Sequence, residues 1–163
     1  MSMVHVKGLA ELQKLLDTLP AKMEANVMRS ALRAGANVVL EEAKANVAVK
    51  SGLLRDGLKV STRSRRGVVS ASVKATGKHA YVAKWVEYGT AAHRIIPKEA
   101  KSLFFGGIFA EGIDHPGASA KPFMRPALDT RAQDAIVAVG NQIKKRLTKA
   151  GIEGAGDVDI EAV

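Results

Sequence analysis

The chain has 163 residues, a hydrophobic fraction of 47% and a formal net charge of +9, figures that suit one globular domain able to bury its own core. It has no cysteine, which excludes disulfides, thiolate catalysis and Cys-based zinc sites. No apolar run approaches the roughly 20 residues that cross a bilayer, and residues 1–14 lack the apolar stretch of a signal peptide, so synthesis in the cytoplasm and no membrane partner are expected.

The N-terminal half reads as helix. Leu9, Leu12, Leu15, Leu16 and Leu19 share one face of a helix expected over 8–19, and Pro20 closes it because proline cannot donate the next backbone hydrogen bond. A second helix, over 21–47, would be about 40 Å long. Its stripe includes Val27, Ala31, Leu32, Gly35, Val39, Ala43 and Val47. The small-residue patch Ala31, Ala34, Gly35 and Ala36 would let another backbone come close, at some cost in helix propensity.

The middle reads as strand. Leu58, Val60 and Thr62 alternate with Lys59, Ser61 and Arg63, and Val69, Ala71 and Val73 alternate with Ser70, Ser72 and Lys74. This predicts a β-hairpin around the turn Ser64-Arg65-Arg66-Gly67. A third strand is expected over 80–88, central because Tyr81 and Trp85 on one side face Val82, Val86 and Tyr88 on the other. Trp85 and Phe123 are expected as core anchors. From about 90 to 121 prolines and glycines break the pattern, yet apolar residues persist. A loop this long is usually functional or mobile, and a small hairpin over 102–105 and 108–111 fits inside it.

The last helix begins around Pro126, tolerated in a first turn. It carries Leu128, Ala132, Ala135, Ile136, Val139, Ile143 and Leu147 and ends before Gly151. Residues 151–163 hold four acids and no base and read as a flexible acidic tail after a single domain over 1–150.

Charge is concentrated. Between Lys50 and Lys84 nine basic residues meet one acid, Asp56, for a net +8. Arg63, Arg65 and Arg66, with Lys59 and Lys74 nearby, form a candidate interaction patch for a polyanion or an acidic protein. An enzyme site cannot be assembled. Gly77-Lys78 fails as a phosphate loop because Ser72 stands where the earlier glycine is needed. His5, His79, His93 and His115 lack metal-ligand spacing. Glu87 would have a raised pKa if buried alone, but pairing with a basic neighbour is the better expectation. No catalytic residue, cofactor or metal is implied.

Three segments stand apart: Ser51-Gly52-Leu53-Leu54-Arg55, Glu87-Tyr88-Gly89-Thr90, and Pro122-Phe123-Met124-Arg125-Pro126-Ala127. Together, in this order, they resemble the minor tail-component or tail-completion proteins of lambdoid long-tailed double-stranded DNA phages. Members pair an E-[YF]-G-T turn with a later P-F-[ML]-R-P-A segment, after an upstream [ST]-G-x-L-[RK]. Ser51, Gly52, Leu54, Glu87, Tyr88, Gly89, Thr90, Pro122, Phe123, Arg125 and Pro126 match. Members often have a proline where this chain has Val47-Ala48-Val49.

The resulting expectation is an α+β fold, a small antiparallel sheet of three to five strands packed against the long helix of the N-terminal half and the C-terminal helix. The resemblance implies a structural subunit of the virion tail or neck, assembled in host cytoplasm as part of a ring, often a hexamer. It would complete the tail and join it to the head. Implied partners are copies of itself, the tail terminator or tail tube, and head-completion or connector proteins, with DNA passing through the channel. The alternative is a basic nucleic-acid-binding protein using the hairpin over Arg63–Arg66. Base-stacking aromatics are missing from that hairpin.

Overall fold

A computed structural model describes residues 6–48, 50–98 and 101–162. His5 and Val49, both noted above, lie outside the described residues. In chain order the elements are β1 (Val6–Lys7), α1 (Leu9–Leu16), α2 (Ala21–Asn46), α3 (Leu53–Gly57), β2 (Leu58–Arg65), β3 (Val68–Ala75) and α4 (Ala80–Tyr88). They continue with β4 (His93–Ile95), β5 (Leu103–Phe105), β6 (Ile108–Ala110), β7 (Ile113–His115), α5 (Met124–Lys149) and β8 (Glu161–Ala162). The class is α+β, as the sequence implies.

The framework is an antiparallel pair of long helices, α2 and α5. Their opposed direction follows from what each end buries. The first half of α2 and the last turns of α5 share a core of Val27, Ala31, Ile143 and Leu147 with Leu12 and Leu16 of α1. The other ends share Val39, Leu40, Ala43, Phe123 and Ala127 with Val47 and Leu58. Between the two cores the helices meet at Gly35, where a Cβ would lie 2.7 Å from the Ala135 carbonyl oxygen and 2.6 Å from Val139 Cγ2. The small-residue patch read from the sequence is this contact.

β2 and β3 form the expected hairpin, longer than its sequence suggests. Arg65 pairs with Val68, so the turn is only Arg66-Gly67, with φ of 50° and 79°. Two consecutive positive φ values make the turn whose twist suits a tight hairpin. Leu58, Val60, Val73 and Ala75 pack toward α2 and the second core. Lys59, Arg63, Arg65 and Lys74 take the opposite face by strand alternation.

Residues 80–88 form a helix, not the expected third strand, and every described sheet has two strands, not three to five. The physical reason lies in the spacing. Ala83, Val86 and Glu87 fall on one helical side and face the second core, while Tyr81, Trp85 and Tyr88, at offsets of four and three, fall on the other. Bulk on both faces of an apparent strand was the mark of a helix with an apolar inner and an aromatic outer side. Trp85 is accordingly 52% exposed rather than a core anchor, whereas Phe123 is fully buried as expected.

The segment after α4 holds two small antiparallel pairs, β4 with β7 and β5 with β6, the inner one close to the expected hairpin. The acidic tail also departs from its reading as a flexible appendage. Ala155 is fully buried, Ile152, Val158 and Ile160 pack on the first core, and β8 pairs with β1. Lys144 Nζ donates to the Val158 carbonyl at 2.7 Å. Gly140 makes the room, since a Cβ there would lie 2.8 Å from Ile160 Cγ2. Four apolar residues among the glycines and acids give the tail enough to bury.

Candidate functional site

The three motif segments converge at the start of α5. α4 ends with Glu87 turned inward and buried, where its carboxylate accepts three backbone hydrogen bonds: from Phe123 N–H at 2.8 Å and Met124 N–H at 2.9 Å to Oε2, and from Arg125 N–H at 3.0 Å to Oε1. These are orphan donors of the first turn of α5, which its own N-cap side chain, Phe123, cannot satisfy. Burial pushes the Glu87 pKa up, but the three N–H donors and the nearby Arg125 charge outweigh it, and the carboxyl titrates below its ordinary value. The expectation of a basic partner is corrected: the main partners are backbone amides at the positive end of a helix.

The neighbouring motif residues serve the same junction. Gly89 has φ of 71° and a Cβ there would lie 2.5 Å from the Ala118 carbonyl oxygen, so glycine fits both the left-handed backbone and the close approach. Thr90 and Ala118 exchange backbone hydrogen bonds of 2.9 and 3.1 Å, and Lys121 N–H donates to the Val86 carbonyl at 2.8 Å. Those bonds bring the chain back to α4 after the long excursion, so that Pro122 and Phe123 enter the core edge in register. Pro126 sits in the first turn of α5. Gly52, with φ of 78°, begins α3, and Leu54 packs on the second core. Ser51, Gly52, Leu54 and Arg55 then line a pocket of about 470 Å³ with Trp85 and Lys121. Tyr88 points outward, 65% exposed.

The basic patch lies elsewhere, on the outer face and tip of β2–β3. Lys59 stands directly opposite Lys74, Arg63 opposite Ser70, and Arg66 occupies the turn. All five cations are exposed, and among the described residues none of them forms an ion pair. The structure therefore separates the two groups of residues singled out in the sequence, one a structural junction and the other a charged surface.

Three apolar features mark the surface. One is the aromatic stripe Tyr81, Trp85 and Tyr88 on α4, in which the Tyr81 and Trp85 rings meet edge to face at 5.0 Å. Another is a groove of about 690 Å³ walled by Leu32 and Val39 of α2, Leu128 and Ile136 of α5 and Val73 of β3, with Lys84, Tyr88 and Arg125 around it. The third is the β5–β6 hairpin, whose Phe104, Ile108 and Phe109 are all strongly exposed. Periodicity within α4 could have signalled the stripe; the groove depends on tertiary placement, and the hairpin lies close to where the sequence places one. These are surfaces suited to binding other macromolecules. Among the described residues no group of three His, Cys, Asp or Glu could hold a metal ion, and no helix is long and apolar enough to cross a membrane.

No curated protein and no solved structure matches the chain. Residues 10–89 match a family model described as "Bacteriophage HK97-gp10, putative tail-component", a span that runs from α1 to the end of α4 and contains the Ser51–Arg55 segment and Glu87-Tyr88-Gly89. The likeness carried by the motifs thus holds over this span, and over it the chain is similar to the HK97 gp10-like family of bacteriophage tail components.

Proposed function

We propose that the protein is a structural subunit of the virion tail that assembles as one member of a ring, completes the tail and joins it to the head. The observation that carries this reading is the family match over α1 to α4. It is supported by a site whose one buried carboxylate is committed to holding a helix and whose remaining features are exposed apolar and cationic surfaces. Its partners are further copies of itself, the tail terminator or tail tube, and the head-completion or connector proteins, with DNA passing through the channel. Its work is docking, without cofactor or catalytic step. The virion tail or neck is its final place, and the host cytoplasm its site of assembly.

Within this reading the tip of β2–β3 docks on an acidic neighbouring subunit. Unpaired cations steer such an encounter and fix its register. A second reading, direct binding of nucleic acid, draws on the same unpaired cations, yet neither strand of the hairpin carries an aromatic residue to stack a base. Complementation decides between them. A phage lacking the gene should accumulate full heads and unjoined tails, and the protein supplied from a plasmid should restore joining and be found in the particles. A protein absent from tails that instead binds free DNA with a steep salt dependence would favour the second reading.

A further inference from the structure

We infer that the β5–β6 hairpin of one copy seats in the groove between α2, α5 and β3 of the next copy, so that the chain carries both halves of a head-to-tail contact. The inference rests on the ring reading above and names the surfaces that would build it.

The hairpin has the form of an anchor. Phe104 and Phe109 are directly opposed across the strands, so their side chains share one face, with ring centroids 5.1 Å apart. Both are about 70% exposed, at 68% and 72%. β5 and β6 pair with each other and, among the described residues, with no third strand. Two adjacent aromatic rings held in water by a tight Gly106-Gly107 turn are costly to leave uncovered, and paired aromatics in a desolvated pocket dominate interface energetics.

The groove has the matching chemistry. Leu32, Val39, Leu128, Ile136 and Val73 make it apolar, and its volume of about 690 Å³ lies within the roughly 300–1,000 Å³ of sites that enclose a group of this size. None of residues 101–112 lines it, so the chain's own hairpin does not fill it. Charge indicates a second copy as the occupant. Lys84 and Arg125 stand at the groove, and the exposed Glu111 directly follows β6; among the described residues none of the three forms an ion pair. A knob and a hole at different places on one chain make a heterologous contact, which propagates and closes into a ring when the rotation permits. Two rings bury about 150–250 Å² each, against about 800 Å² per partner in a stable interface. The hairpin is therefore the anchor of a larger contact.

The absence of native cysteine allows a direct test on the full chain. Glu111→Cys and Lys84→Cys, introduced together, place thiols on knob and groove without touching the two rings or the apolar walls. Tails assembled with this variant and treated with a short bismaleimide should give a ladder of covalent multimers on a denaturing gel, each single variant should give none beyond dimers, and adding Phe104→Asp and Phe109→Asp should abolish the ladder. Tails that contain the double-cysteine chain but show no ladder, or only an internally bridged monomer, would overturn the hairpin-in-groove contact and leave the tail reading standing. A chain missing from tails altogether would take down the tail reading and this inference with it.

Discussion

Glu87 and Phe123 lie 36 residues apart and are joined by a backbone N–H of Phe123 that donates to the Glu87 carboxylate at 2.8 Å. With the bonds from Met124 and Arg125, this side chain caps α5 from another helix, across the whole excursion of β4 to β7. Removing it leaves three amide donors without a partner in a poorly hydrated place. Glu87→Ala should lower stability by about 2–3 kcal/mol, read by urea denaturation, and Glu87→Gln should fall between the variant and the parent. The pH dependence follows from the lowered folded pKa. The stabilisation is fully present above the ordinary glutamate value and is lost as pH falls through the folded value. Melts of the parent and Glu87→Gln should therefore converge on acidification below about pH 4; a constant gap across that range would count against the cap.

Phe123 and Trp85 should behave as opposites, although the sequence presents both as large apolar anchors. Phe123 is fully buried and Trp85 is half exposed. Phe123→Ala should cost about 3–5 kcal/mol, whereas Trp85→Ala should cost under about 1 kcal/mol because its outer face already meets water. Thermal unfolding of the two variants side by side measures the contrast, and equal losses would contradict the placement of α4.

How much of this was readable depends on whether a local signal dominated. α1, α2 and α5 were legible because leucines, valines and alanines recur at helical offsets over several turns, and the small-residue patch around Gly35 signals a close backbone approach without saying which element makes it. The β2–β3 hairpin was legible from strict alternation. α4 was not, because its nine residues place large side chains on both faces of a notional strand as well as along one side of a helix, and only the inward packing of Ala83, Val86 and Glu87 together settles the helix. The role of Glu87 was hidden for a different reason: its partners are backbone amides, which no residue pattern displays. The tail misled through composition, since its acids and glycines mask Val158 and Ile160, whose burial depends on Gly140 in a distant helix.

Residues 151–163 should contribute to stability rather than hang free. Ala155 is fully buried, and Ile152, Val158 and Ile160 cover Leu12, Ile143 and Leu147. Truncation after Ala150 uncovers that core and removes the β1–β8 pairing. At about 1.5–3 kcal/mol for each fully buried aliphatic side chain, losing several partly buried ones should cost about 3 kcal/mol or more, seen as a lower urea midpoint. A midpoint unchanged by truncation would return the segment to an appendage.

The last expectation concerns the tip of β2–β3. Arg65 ends a strand opposite Val68, Arg66 sits in the turn with φ of 50°, and Lys59 faces Lys74 further down the same ladder. Like charges directly opposed across strands repel, and with no carboxylate paired to them among the described residues the hairpin alone does not relieve that repulsion. An acidic partner would. Because these side chains are exposed and pack on nothing in the core, reversing Arg65→Glu and Arg66→Glu should change folding stability by no more than about 0.5 kcal/mol, and circular dichroism should match the parent. Attachment should be lost: complementation of a phage lacking the gene with the double variant should yield heads and tails that do not join. Normal virions from that variant would rule out a required role for the patch. Complete particles that fail only in delivering DNA would move the patch from a subunit contact to the wall of the channel, where cations act on passing phosphates instead of on a neighbouring protein.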